Sequence, residues 1–421
     1  MAAAVAAAES DQSLRVALLE KNDRLGKKLF LTGHGRCNVT NRSDMQNYQA
    51  HIWRNPKFVL GALNRFGPFD LEEFLARNGV RLKEEDSGRL FPVSDHSSDI
   101  IKAFRQALER AGVEIILSNS VMEIAKQGQF FQVRTSGETM RAVSVVLATG
   151  GLSYPSTGST GEGFGMAQTA GHSLVPLQGA LVGLASDLPG MSRLSGLTLR
   201  GIVLTLLADG RQLAVEAGDL LFTHHGLSGP TAFRASCYVP VDAAYPLEAQ
   251  INLKPRLTVE QLERKFLDLG RGKENKEVRT LLDELIPKRL SALVAAQAEL
   301  PEGLRMNQLS RTQRRRLAEA IQSLCIPVTG LRPVSEAIIT GGGVPVREIS
   351  PKTMESRLTA GLFFAGEMID VSAMTGGYNL QIAFSTGWSA GQAAAAYCQR
   401  EAGEADAGRG DLLWTFKDIV D

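Results

Sequence analysis

Paired cysteines are the first thing this sequence lacks. Its four cysteines, Cys37, Cys237, Cys325 and Cys398, are scattered without Cys-x-x-Cys spacing, which argues against a disulfide framework or a metal site and suits free thiols in a reducing cytoplasm. An excess of one charge sign is also missing. With 46 Lys+Arg against 45 Asp+Glu the formal net charge is +1, so no global field draws the chain to nucleic acid or an anionic membrane, and a small molecule is the expected partner. No apolar run approaches the roughly 18 residues a membrane span needs. The alanine-rich start has no basic segment and soon meets Glu9 and Asp11, so it reads as helix rather than signal peptide.

A further absence is local. Leu14 to Leu19 is an apolar run of buried parallel-strand type, ending in Glu20, where a doubly wound fold places an acid on an adenosine ribose. Ahead of it such a fold needs a strand and a Gly-x-Gly-x-x-Gly turn. Met1 to Glu9 instead have the composition of the helix that follows that turn. The first strand is central in this sheet class, and each buried polar group orphaned by its loss costs roughly 1–3 kcal/mol against a total stability of roughly 5–15 kcal/mol. The expectation is a natural chain that starts further upstream.

What is present is half of a flavin-type site near the other end. Leu362 to Ala365 is a short apolar strand ending in Gly366 and Glu367, where backbone comes close to a ligand and the carboxylate can accept from sugar-like hydroxyls, with Asp370 a second acceptor. Gly376 and Gly377 precede a helical pattern through Leu380, Ile382, Ala383, Ser385 and Trp388, so a helix N-terminus would point its free N–H groups at whatever the loop holds. A second glycine-rich stretch, Thr32-Gly33-His34-Gly35-Arg36-Cys37-Asn38-Val39-Thr40-Asn41, offers donors and close backbone approach. An ordinary surface turn has the same composition.

Helical spacing runs over Pro56 to Asn78 and Ser98 to Ala111, and strands are expected at Val113 to Leu117, Val121 to Ala125, Phe130 to Thr135 and Val143 to Leu147. The last ends in Ala148-Thr149-Gly150-Gly151, again bare backbone at a sheet edge. From about 180 the pattern turns to short alternating strands such as Ile202 to Leu207, and over 258–324 to helices rich in Leu, Arg and Glu, which predicts an inserted domain. The run Arg311-Thr312-Gln313-Arg314-Arg315-Arg316 reads as a solvated helix face, not a nucleic-acid patch.

Together these motifs resemble the HI0933-like family of bacterial flavoproteins, a group that includes aminoacetone oxidases and bile-acid enone reductases. The resemblance spans nearly the whole chain. It rests on Leu18-Leu19-Glu20-Lys21-Asn22, Gly35 to Asn41, Ala148 to Gly151, Ser153-Tyr154-Pro155, Thr157 to Gly161, Phe222-Thr223-His224, Gly226 to Pro230, Pro351 to Ser356 and Gly361 to Gly391. It implies an α/β fold in which a glutathione-reductase-type, Rossmann-like FAD-binding domain (residues 1–178 and 331–400) is interrupted by a β-rich and helical domain (179–330), with a tail at 401–421.

FAD is the implied cofactor, with NAD(P)H as electron donor by family analogy, since no second Gly-x-Gly-x-x-Gly is evident. By the resemblance Glu20 holds the AMP ribose, the Val121 backbone flanks adenine, and the loop Arg36, Cys37, Asn38, Val39 and Thr40 lines the pyrophosphate and flavin. Glu367 with Asn379, Leu380 and Gln381 meets the ribityl chain and pyrimidine edge. Lys28, Ala148, Thr149, Gly150, Gly366, Asp370, Gly376, Gly377 and Tyr378 complete the implied cofactor set. His34 departs from the family, whose loop usually has a third glycine there.

Candidate acid/base groups are few: His224 beside His225 at a strand-to-loop junction of the inserted domain, and Tyr378 beside the flavin loop. A lone histidine can equally be structural. Cys37 reads either as a redox thiol or as a small buried residue. The expected activity is reduction of a small unsaturated or carbonyl-conjugated substrate. An oxidase passing electrons to oxygen, and a non-catalytic or degenerate flavin-binding protein, remain as alternatives.

Overall fold

A computed structural model describes residues 1–241 and 246–408; the apolar tail positions Leu412, Leu413, Trp414, Phe416 and Ile419 lie outside the described residues. The chain divides into two compact units, Met1–Gln178 with Ile339–Asp421, and Gly179–Ile338. The second boundary falls past 330 because Gly330–Leu331 pairs with Leu184–Ala185 and so extends the inserted unit's sheet.

In the first unit the alanine-rich start forms helix α1 (Ala2–Ser10). Strand β1 is short, Ala17–Leu19, because Asp11 accepts from the Ser13 N–H and hydroxyl and folds Gln12 and Ser13 into a turn. It runs parallel to β2 (Glu114–Ile116), with Leu18 opposite Ile115. Strand β3 (Val145–Leu147) runs parallel to β4 (Leu362–Phe364), with Val146 opposite Phe363. Buried parallel strands are covered on both faces, but here only Leu362–Phe364 is buried throughout: Ala17 and Glu114 are exposed and Leu18, Leu19, Val145 and Val146 half-buried, so the run before Glu20 is not the buried strand its composition predicts. They form two separate two-stranded sheets, and among the described residues no strand joins β1 to β3.

Helix α2 (Lys27–Leu31) follows a left-handed Gly26. Helix α3 (Met45–His51) is capped by Asp44, which accepts from the Asn47 N–H. The long helical pattern from Pro56 breaks into Pro56–Val59, Leu60–Arg65 and Pro68–Arg77. The break falls at Gly67-Pro68, where proline has no N–H to continue the ladder and Asp70 accepts from the Gly67 N–H at 2.7 Å. Ser97–Arg110 buries Ile100, Ala103, Phe104, Ala107 and Leu108 along one face, each large apolar side chain contributing about 1.5–3 kcal/mol.

The last described helix, α4 (Tyr378–Gly408), crosses α1 through small residues. A Cβ on Gly391 would overlap the Ala3 carbonyl, and one on Gly387 would lie 3.5 Å from Ala2 Cβ. Glycine at these positions lets the two backbones touch.

In the second unit, Leu324–Val328, Leu247–Asn252, Thr198–Ala208, Arg211–Thr223, Gly226–Ser228, Leu184–Ala185 and Gly330–Leu331 form a seven-stranded sheet in that order. Leu247–Asn252 alternates buried and half-buried residues, the signature of one covered face. Helices Val259–Gly270 and Arg311–Gln322 start at Thr258 and Ser310 capping boxes. Within the arginine run, Arg314, Arg315 and Arg316 pair with Glu263, Glu319 and Glu299. No described helix is long and apolar enough to cross a membrane.

Candidate cofactor site

The carboxyl ends of β1, β3 and β4 carry Glu20, Ala148-Thr149-Gly150 and Gly366-Glu367. Glu20 Oε1 accepts from the Asn22 N–H at 2.9 Å and from its Nδ2 at 2.7 Å. Asn22 Nδ2 also donates to the Thr157 carbonyl at 3.0 Å, tying the Gly158 turn to this edge. Ala148 and Thr149 are exposed although Leu147 before them is buried. Val121 is the half-buried first residue of strand Val121–Gln127.

Glu367 is the meeting point of three distant segments. Its Oε2 accepts from Lys28 Nζ at 2.6 Å, and its Oε1 from the Thr340 N–H at 2.6 Å and the Ser153 hydroxyl at 3.2 Å. Lys28 also donates to Ser153 Oγ at 2.8 Å. A Cβ on Gly151 would press into Thr340 and lie 3.1 Å from the Glu367 carboxyl carbon. The bareness of Gly151 therefore admits this cluster.

The loop after α2 is left-handed at Gly33, His34, Gly35 and Cys37. His34 thus occupies a glycine conformation, at φ 57°. Arg36 lies over the Phe91 ring, 4.3 Å from its centroid, and bonds Asp95 through Nε at 2.8 Å and Glu85 through Nη2. Glu85 and then Asp95 raise the Arg36 pKa; the partners are held below the usual carboxylate range, Glu85 chiefly by Arg36 and Asp95 chiefly by Lys83. Cys37 is fully buried, and burial pushes its thiol up to about 12, which suits a packed side chain more than a nucleophile.

Asp370 is buried and accepts from Arg54 Nε and Nη2 and from Asn55 Nδ2. Beside this pair, Arg54 and Ser372 exchange main-chain hydrogen bonds, and the Met374 N–H donates to the His51 carbonyl at 2.8 Å. Asn379 is spent within its loop, on Ala373 and Met374. Gln381 is fully buried, accepting from Thr40 at 2.6 Å and donating to the Phe66 carbonyl and Ser385 at 3.0 Å each. Asn38, in the amide orientation that satisfies both its ends, accepts from the Gly377 N–H at 3.0 Å. A Cβ on Gly377 would collide with the Thr40 carbonyl.

Tyr378 is buried, stacked on His51 at 4.5 Å and edge-on to Tyr48 at 5.0 Å, with its hydroxyl 3.3 Å from Asn47 Nδ2. Val39 is fully buried and Leu380 half-buried. In the other unit His224 and His225 are exposed at the tip of a hairpin between Arg211–Thr223 and Gly226–Ser228. The pairing partners Arg54, Asn55 and Thr340 had no local signal in the sequence, since the Arg54–Asp370 bond spans 316 positions.

The first unit brings Glu20, Lys28, the Arg36 loop, Thr149-Gly150 and the Gly366 to Gln381 segment into one body. These residues fit FAD: an acid and the exposed residues Ala148 and Thr149 at the strand ends suit the adenosine diphosphate, while the left-handed glycines Gly366, Gly376 and Gly377 let the loop before the last helix close on Thr40 and Ala383. The fold and this site define an FAD-dependent oxidoreductase.

The pattern described as HI0933-like protein Rossmann domain matches residues 1–393, and the chain belongs to that family. It is 31% identical over 396 residues to the 3-dehydro-bile acid delta(4,6)-reductase of Clostridium scindens, covering 93% of this chain and 96% of that protein. It is 31% identical over 380 residues to the ribosomal RNA dihydrouridine synthase of Escherichia coli, covering 90% and 91%. Among solved structures, the 3-ketosteroid delta1-dehydrogenase of Sterolibacterium denitrificans shares the fold, at a TM-score of 0.50 and 12% identity, covering 94% of this chain and 98% of that one.

Proposed function

We propose that the protein reduces a carbon–carbon double bond conjugated to a carbonyl in a small molecule, with NAD(P)H as electron donor. The observation that carries this is the chemistry shared by the relatives' names. A delta(4,6)-reductase of a 3-dehydro bile acid saturates ring double bonds conjugated to a ketone, and dihydrouridine is uridine whose ring double bond, conjugated to a carbonyl, has been saturated. Bound FAD supplies two-electron chemistry that no side chain can. The chain's own residues bind and orient the cofactor through the β1, β3 and β4 ends, and a proton donor completes saturation. His224 is the proposed donor, being exposed on a tight turn. Tyr378 instead supports the flavin loop, because its hydroxyl lies buried against Asn47.

The near-zero net charge and the paired arginines support a small substrate over RNA, whose binding leans on basic surface. The test is anaerobic reduction of the loaded protein with NADH or NADPH, followed by a 3-keto-Δ4 steroid or by unmodified ribosomal RNA. Return of the oxidised flavin spectrum with the steroid alone is expected. Return with RNA alone would move the substrate to a nucleobase, and substrate-dependent peroxide formation without nicotinamide in a parallel aerobic assay would make the protein an oxidase.

A further inference from the structure

The geometry points to Tyr154 as a catalytic residue whose phenol donates a hydrogen bond to the carbonyl oxygen of the substrate. The inference rests on the enone reduction proposed above and concerns a residue outside the cofactor set.

Of the tyrosines in the first unit, Tyr48, Tyr378 and Tyr397 are buried, whereas Tyr154 is 36% exposed. Its backbone is left-handed, at φ 55° and ψ 58°, a conformation that any residue with a Cβ disfavours. Pro155 adds to the strain, since the residue before a proline is pushed toward extended backbone. A glycine would sit there at less cost, yet the position carries a large aromatic ring.

Neighbours on both sides hold this turn. The Tyr154 carbonyl accepts from the Thr157 N–H at 2.9 Å and the Thr157 hydroxyl at 2.7 Å. Ser153 is fully buried, its N–H donating to Thr340 Oγ1 at 3.1 Å and its hydroxyl to Glu367 Oε1 at 3.2 Å. Backbone strain held by its surroundings clusters at ligand-contacting positions. The bond from Ser153 to Glu367 sets Tyr154 beside the paired ends of β3 and β4, the edge where doubly wound folds bind their ligands. The phenol hydroxyl, unpartnered among the described residues, keeps its O–H for a ligand.

Saturation of an enone needs such a donor. Hydride, with electrons that originate in NAD(P)H, joins the β-carbon. The electron pair of the carbon–carbon double bond shifts to give an enolate, with its negative charge on the carbonyl oxygen. A proton then joins the α-carbon and the carbonyl re-forms, so the substrate gains one hydride and one proton. Tyr154 keeps its own proton throughout, and its hydrogen bond strengthens as the oxygen gains charge.

The test uses the FAD-loaded protein, wild type and Tyr154→Phe, with circular dichroism and the flavin spectrum confirming fold and cofactor content. Each is reduced anaerobically with dithionite, then reoxidised with a 3-keto-Δ4 steroid or with ferricyanide, an acceptor that has no carbonyl oxygen. Tyr154→Phe is expected to slow reoxidation by the steroid at least about tenfold, while steroid affinity for the oxidised protein changes by less than about threefold. Its reoxidation by ferricyanide is expected to match wild type. A steroid rate within about twofold of wild type would overturn the assignment. So would equal slowing with both acceptors, since that makes Tyr154 a support of the cofactor. A wild type that ferricyanide reoxidises and the steroid does not would overturn the enone reading itself, and this assignment with it.

Discussion

Replacing Asp370 by Asn tests how the flavin loop is held. Asp370 has a side chain 5% exposed, Arg54 one 33% exposed, and three donors from Arg54 and Asn55 converge on the carboxylate. Asparagine keeps the volume but removes the charge and turns one acceptor into a donor facing the guanidinium. Breaking a fully buried pair costs about 3–5 kcal/mol. Arg54 can rehydrate through its open third, so the expected loss is about 2–3 kcal/mol, near the value of one strong charged hydrogen bond. At about 2–4 °C per kcal/mol for a unit of this size, the melting temperature should fall by roughly 4–12 °C. Thermal unfolding followed by circular dichroism measures it. Arg54→Met and the double variant complete a cycle, whose coupling should reach about 1–2 kcal/mol. A variant melting within about 1 °C of wild type, or strictly additive single losses, would refute the account of a charge-locked loop.

His34→Gly should raise the urea midpoint: relief of left-handed strain is worth about 1–2 kcal/mol, offset by roughly 0.5–1 kcal/mol of extra chain entropy; an unchanged or lower midpoint counts against the strain. His172 is buried between Glu348, 3.1 Å from Nδ1, and Ser356, 2.7 Å from Nε2, and burial lowers its pKa from 6.5. Below about pH 6.5 the unfolded chain takes a proton the native state refuses, so this stability is full above that pH and declines as pH falls toward the lowered native value. Urea midpoints measured between about pH 7.5 and 5.5 should show a slope that His172→Asn removes. Cys37, with its thiol pushed up to about 12, should resist a thiol-specific reagent near neutral pH until urea unfolds the chain; rapid native labelling at this residue, located by mass spectrometry, would contradict its burial.

Much of the frame was legible in the sequence because it rests on local patterns. The apolar runs before Glu20 and Gly150 gave β1 and β3, and the glycines before Tyr378 gave the start of α4. The helix over Pro56 to Asn78 was drawn too long, since apolar spacing continues through Gly67-Pro68 although the hydrogen-bond ladder does not. At the site, residue types pointed to segments that the fold gathers into one unit, but the use of each side chain depends on partners far along the chain. Gln381 and Asn379 could be read as ligand groups until Phe66, Ser385 and Ala373 were seen to occupy them. Arg36 looked like a free cation until Glu85 and Asp95 closed on it.

The contact of Gly391 with the Ala3 carbonyl has a mechanical consequence. Helix α1 leads toward the Glu20 edge, while α4 grows directly out of the loop that ends in Gly376 and Gly377. Keyed backbone to backbone, without a cushion of side chains that could slide, the two helices act as one strut. The segment that ends in Glu20 and the loop that ends in Gly376 and Gly377, far apart in the sequence, are therefore braced against each other by one rigid contact.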